Sequence, residues 1–216
     1  MLLCALMLSA CGGGGDDAAA PSNSTGLAGT SAALTTTITA LPLEDLSAAE
    51  QDSLAFMREE EKLAHDVYIQ LDSLWRGYTR VFGNIANSEA SHTALVQQLL
   101  VRYNLPDPTA ALAAGVYQNT TLQNLYTQLV AAGSVSLVEG LKVGAAIEEI
   151  DMIDLNKALL ETDNQDITLV YQNLLKGSRN HLRAFVGALA SQGVTYVPQY
   201  MAEADYQAIV TTPTER

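Results

Sequence analysis

The stretch Ser88-Glu89-Ala90-Ser91-His92, "SEASH", places a glutamate and a histidine three residues apart. On a helix that spacing puts both side chains on one face, about a turn apart. If the face looks at water, the pair is an ordinary charged surface. If it looks inward, ligand-type side chains enter a core. The rest of the chain decides between the two.

The surrounding sequence reads as helices. Apolar residues recur at spacings of three and four, and no run shows strand alternation with hairpin turns. Ser47-x-x-Glu50 and Ser136-x-x-Glu139 have the form of capping boxes. Four long helices are expected, over residues 47–75, 84–103, 136–161 and 166–191. Between the second and third, residues 104–135 hold Pro106, Pro108, Gly115 and a short helix, "LQNLYTQLVAAG". Short loops join antiparallel neighbours. The expected fold is therefore all-α: two antiparallel hairpins joined by a long crossover containing a short helix, the connectivity of a ferritin-like four-helix bundle. The expected bundle covers residues 46–192, with a C-terminal extension over 193–216.

Each helix has a seam. The first runs Leu54, Met57, Glu61, Ala64, Tyr68, Leu71, Trp75, and the second Ile85, Glu89, His92, Val96, Leu99, Tyr103. The third runs Leu141, Ala145, Glu148, Met152, Leu155, Leu159, and the fourth Tyr171, Leu174, Ser178, His181, Phe185, Ala188. Every stripe is interrupted by polar residues near its midpoint, and in a packed bundle the midpoints share one layer. The "SEASH" pair therefore faces inward.

Ionised carboxylates buried without compensation cost several kcal/mol each. The seams contain no Lys or Arg to supply counter-charge. A metal ion supplies it directly. Carboxylate and imidazole without thiolate suit iron, manganese or zinc. Glu61, Glu89, His92, Glu148 and His181 are the expected ligands, with iron, as one or two ions, the expected metal and manganese or zinc the alternatives. His65, Asp151, Ser178, Tyr68 and Tyr171 are candidates for an extra ligand or a supporting role. Glu59, Glu60 and Glu149 lie beside seam positions and are expected on a solvated face. Arg179 and Arg183 flank His181 and are expected to pair with carboxylates such as Asp151 or Asp154.

Composition excludes other classes. Eleven Lys and Arg against 24 Asp and Glu give a net charge of −13, which repels a phosphate backbone and argues against nucleic acid as a partner. Both cysteines fall in "MLLCALMLSAC", so the remaining chain has no disulfide, zinc–thiolate cluster or cysteine nucleophile. That opening, an apolar run ending in Leu8-Ser9-Ala10-Cys11, has the form of a lipoprotein signal over residues 1–11, although no Lys or Arg precedes the run. Cys11 would carry the lipid. The Gly-rich stretch after it, "GGGGDDAAAPSNSTG", opens an expected flexible linker over 12–45. The expected location is the bacterial cell envelope, with the membrane contacted only through that anchor. Homo-oligomerisation is left open.

"MREEEKLAHDVY", "NIANSEASH", "LQNLYTQLVAAGSVSL", "VGAAIEEIDMIDL" and "VYQNLLKGSRNHLRAF" together resemble the bacterial and archaeal ferritin-like family known as domain of unknown function 2202, over residues 44–208. Glu61, followed by Ala64 and Tyr68, also resembles the first ligand helix of rubrerythrin-like proteins. The resemblance implies the ferritin-like fold and leaves the activity open. The di-iron pattern of such bundles takes one Glu from each of two helices and Glu-x-x-His from each of the others. Here the fourth helix has Ser178-x-x-His181, so one carboxylate of the pattern is absent. The expected function is iron redox chemistry with dioxygen or peroxide, as a ferroxidase or peroxidase-like oxidoreductase. The alternative is a non-catalytic metal-binding or envelope interaction protein.

Overall fold

The computed structural model describes the chain from Leu27 to Arg216, with side chains from Ala33 onward. Cys11 and the signal-like opening lie outside the described residues. The described residues are all-helical: α1 (Leu27–Ala40), α2 (Ala48–Trp75), α3 (Val81–Arg102), α4 (Thr120–Gly133), α5 (Leu137–Glu161), α6 (Gln165–Ser191) and α7 (Glu203–Val210). Ser47 caps α2 as a full capping box, its hydroxyl accepting from Glu50 N while the Glu50 carboxylate accepts from Ser47 N. At Ser136 only the forward half is made; the Glu139 carboxylate goes to Lys142 instead.

The most extensive packing is α2 against α3 and α5 against α6, with α2 also on α5 and α3 on α6. The turns connecting each hairpin are short, so the partners run antiparallel. Polar ties mark the two ends. At one, Glu50 Oε1 accepts from Thr162 Oγ1 at 2.6 Å, and buried Asp166 accepts from Arg102 Nε at 2.7 Å and from Tyr103 Oη at 2.6 Å. At the other, the Trp75 indole donates to Gly133 O at 3.0 Å, and Phe82 and Phe185 stack at 5.7 Å between ring centroids.

The connection from α3 to α5 therefore travels from the first end to the second. It lies on the outer face of α2. Asp107 meets Arg58 and Gly115 N donates to Asp66, before the chain returns to Glu59 at the start of α4. From there α4 climbs to Trp75. This covering explains why α2 is buried almost all round between Met57 and Tyr68.

Both flanks pack onto the bundle. Within the stretch read as linker, Leu27–Ala40 is helical, and Ile38 is fully buried in the core. Arg102 holds the end of this segment by donating to Leu41 O and Pro42 O. The C-terminal extension is also tied down, through α7 and through Glu149, described below. No helix of the described residues is long and apolar enough to cross a membrane.

Candidate metal centre

The seam residues meet in the middle of the molecule. Glu61 on α2, Glu89 and His92 on α3, Glu148 on α5 and His181 on α6 are all buried, none more than 7% exposed. They form two triads that could each hold a metal ion, Glu61–Glu89–His92 and Glu89–Glu148–His181, with the ligand atoms of each within 4.8 Å of one another. Glu89 belongs to both. Its Oε2 lies 2.8 Å from His92 Nδ1 and its Oε1 lies 2.7 Å from His181 Nδ1. Glu61 Oε2 is 3.4 Å from His92 Nδ1, and Glu148 Oε2 is 3.5 Å from His181 Nδ1.

The direction of these contacts matters more than their length. Neither Nδ1 makes an aligned hydrogen bond, and Glu61 Oε1 is also unpartnered. Nitrogen and oxygen atoms that lie this close without an aligned hydrogen bond are free to ligate a common ion. This is the arrangement expected of metal ligands.

Neighbouring groups fix these side chains in place. Tyr68 Oη donates to Glu148 Oε1, and Ser88 Oγ lies 2.9 Å from His181 Nε2, the ring nitrogen away from the triad. Such a contact on the second nitrogen sets which one is free to bind. His92 lies flat against Gly177 of α6. A Cβ at Gly177 would stand 2.4 Å from both Cε1 and Nε2 of the ring, so only glycine lets the imidazole reach its position. The two imidazoles lie 5.4 Å apart, and their outer edges line a cavity of about 340 Å³ between α3 and α6, together with Ser88, Asn173, Lys176 and Asn180.

Without metal, protons hold the charge. Burial alone would raise Glu89, but His181 and His92 override it and hold the carboxyl far below its ordinary range. Burial opposes charging the imidazoles. Glu89 and Glu61 nevertheless push His92 well up, and Glu89 and Glu148 hold His181 at about 10. Burial raises Glu61 to about 7, against the pull of His92, and it raises Glu148 as well.

Several expectations about the surroundings need correction. His65 does not approach the centre; its Nδ1 faces Asp66 at 3.3 Å on the side covered by the crossover. Tyr171 is buried, and its hydroxyl pairs with Ser53 at 2.8 Å rather than with a residue of the triads. The Ser178 hydroxyl donates to Asp151, and Asp151 belongs to neither triad. Arg179 and Arg183 reach neither Asp151 nor Asp154 and instead pair with Glu215 near the C-terminus, at 2.6 and 3.1 Å.

Glu59, Glu60 and Glu149 are buried rather than solvated. Glu59 accepts from Gln118 N and Asn119 N at the start of α4. Glu149 accepts from Tyr196 Oη and from the backbone N–H groups of Gln199, Tyr200 and Met201. Both carboxylates thus serve as anchors for chain that packs over their helices. The clue available in sequence was the long connection itself: thirty-odd residues must lie against some helix face, and buried backbone donors need acceptors there.

Comparison with known proteins agrees with this architecture. Residues 50–213 match the model of a family described as Uncharacterized protein domain (DUF2202). An uncharacterized protein of the archaeon Methanocaldococcus jannaschii is 48% identical over 179 residues, covering 83% of this chain and 96% of the relative. The crystal structure of a hypothetical protein from Methanococcus jannaschii superposes with a TM-score of 0.78 at 47% identity, over 81% of this chain and 99% of that one. With most of its length matched by both family and relative, the chain belongs to the DUF2202 family.

Proposed function

We propose that this is a ferritin-like metal protein of the cell envelope whose Glu/His centre carries out iron redox chemistry with dioxygen or peroxide. One observation carries the reading: two buried triads share Glu89, and their nitrogens and oxygens converge without bonding one another. The helix pairing supports the ferritin-like part, since two antiparallel hairpins joined by a length-crossing connection are the usual frame for such centres. The donor set supports the metal, because carboxylate and imidazole together favour iron, manganese or zinc and the seams hold no basic side chain that could replace it.

An iron pair bound by the triads would supply the electrons that reduce the oxidant. The chain's own residues do the rest. Glu89 links the two positions, Tyr68 steadies Glu148, and Ser88 steadies His181. The cavity at the histidine edges admits a small molecule and little more. The anchor belongs to the same proposal: the "LSAC" motif at Cys11 supports tethering to the envelope.

A second reading, a metal site without redox turnover, is favoured by Ser178 standing where the di-iron pattern has a fourth glutamate. Protein loaded anaerobically with Fe²⁺ and then mixed with oxygen or peroxide separates the two. The redox reading expects Fe²⁺ oxidation well above the rate in buffer, lost in His92→Ala. Bound iron that oxidises no faster than free iron establishes the second reading and ends the first.

A further inference from the structure

The cavity at the outer edges of the two imidazoles has a chemistry of its own. From α3 its wall takes Ser88 and Ser91, and from α6 it takes Asn173, Lys176 and Asn180 at helical spacing. Polar side chains thus meet from two helices around about 340 Å³.

The charges around this cavity run against those of the whole chain. The protein carries −13, yet the acid on the cavity wall, Glu215, is held by two bases, Arg179 at 2.6 Å and Arg183 at 3.1 Å. Lys176 lines the same wall and makes no ion pair or hydrogen bond among the described residues. Three bases therefore stand against one carboxylate. Asn180 is engaged by Glu215 and Arg183, but Asn173 has no hydrogen-bond partner among the described residues.

The imidazoles add donors. Both rings are more than nine-tenths buried, and Nδ1 of each is enclosed in the centre, so the edge that lines the cavity carries Nε2. Where a metal holds Nδ1, Nε2 keeps its hydrogen. His92 Nε2 has no partner among the described residues and lies against Gly177, where a side chain is absent. His181 Nε2 would donate to Ser88 Oγ at 2.9 Å, which frees that hydroxyl to donate in turn. These imidazole donors rest on the metal reading above; Lys176 and Asn173 do not.

An ammonium and amide N–H groups without acceptors suit an anion, and donors on two walls suit one with several acceptor atoms. We infer that this cavity binds a small inorganic oxyanion of the size of phosphate, seated on Lys176 and Asn173 of α6 with its far side toward the histidine edges. The volume lies at the low end for ligand pockets, about 300–1,000 Å³, and fits such an ion with its water.

Inorganic phosphate titrated into the metal-free full chain tests the assignment, by calorimetry and by nuclear magnetic resonance of protein labelled with ¹⁵N at histidine alone. The chain has three histidines, and His65 on the crossover side serves as the internal reference. Saturable binding of one phosphate per chain is expected, moving the His92 and His181 signals and leaving His65 in place. Lys176→Met should weaken binding at least about tenfold, the loss of one charge-assisted hydrogen bond, and Asn173→Ala should weaken it less. Arg80→Met, at an exposed base outside the cavity, should leave it unchanged. The proposal is overturned if no saturable binding is found, if Arg80→Met weakens binding as much as Lys176→Met, or if all three histidine signals move together. Should Lys176→Met fold poorly, Asn173→Ala and the histidine signals of the wild type still decide. Protein that binds phosphate and no metal keeps this site and ends the redox reading; protein that binds metal and no phosphate does the reverse.

Discussion

Two glycines of α6 carry the argument at the scale of the residue. A Cβ at Gly177 would stand 2.4 Å from the His92 ring, whereas one at Gly187 would meet nothing within 4 Å. Alanine raises helix propensity by about 1 kcal/mol over glycine. Gly187→Ala should therefore stabilise the protein slightly and leave metal uptake unchanged. Gly177→Ala must push the imidazole off its position and should weaken metal binding at least about tenfold, as loss of a supporting contact commonly does. Equal affinities for the two variants, measured by competition with a chelating dye, would show that the position of His92 is not what binds. The five residues of the two triads were legible in the sequence because each sits on an apolar seam, where a polar residue stands out. The burial of Glu59 and Glu149 was not legible, since their phase puts them off the seam and the packing of distant chain buries them.

Among the elements, the long helices and the hairpin pairing follow from periodicity and loop length, and their ends fall within a few residues of expectation. What periodicity could not supply was where the irregular segments lie. The crossover and the C-terminal segment have no repeating pattern, and their positions are set by acceptors on helix faces, Glu59 and Asp66 for one and Glu149 for the other. Glu149 is fully buried and takes four donors, so its removal leaves them unsatisfied. Glu149→Ala should lower stability by about 2–4 kcal/mol in urea denaturation. It should also speed amide exchange at residues 199–201, while exchange in α3 stays slow. Unchanged protection at those residues would mean that the segment is held by something other than this carboxylate. Leu27–Ala40 was missed for a different reason: small and polar residues around it read as tether, and Ile38 alone gives little pattern for a buried face.

At the scale of the whole molecule, the buried charges make stability depend on pH and on metal together. In metal-free protein Glu61 titrates at about 7 against an ordinary value of 4.5, so it keeps its proton longer folded than unfolded and its contribution to stability falls as pH rises across that interval. His181 titrates at about 10 against 6.5; its contribution is complete below about 6.5 and is lost as pH rises through 10. The two act in the same direction, and the melting temperature of metal-free protein should fall from pH 6 to pH 10. Bound metal requires deprotonated ligands, so the stabilisation it provides should grow over the same range. A metal-free melting temperature that is flat or rising would contradict the charge arrangement of the centre.

The central claim is that the shared carboxylate of Glu89 joins two metal positions. Anomalous X-ray scattering at the manganese or iron absorption edge, from crystals of protein loaded with that metal, measures it directly. Two anomalous peaks are predicted, one within bonding distance of Glu61, Glu89 and His92 and the other of Glu89, Glu148 and His181. Anomalous density absent from both triads, in crystals whose protein carries stoichiometric metal, would contradict the account.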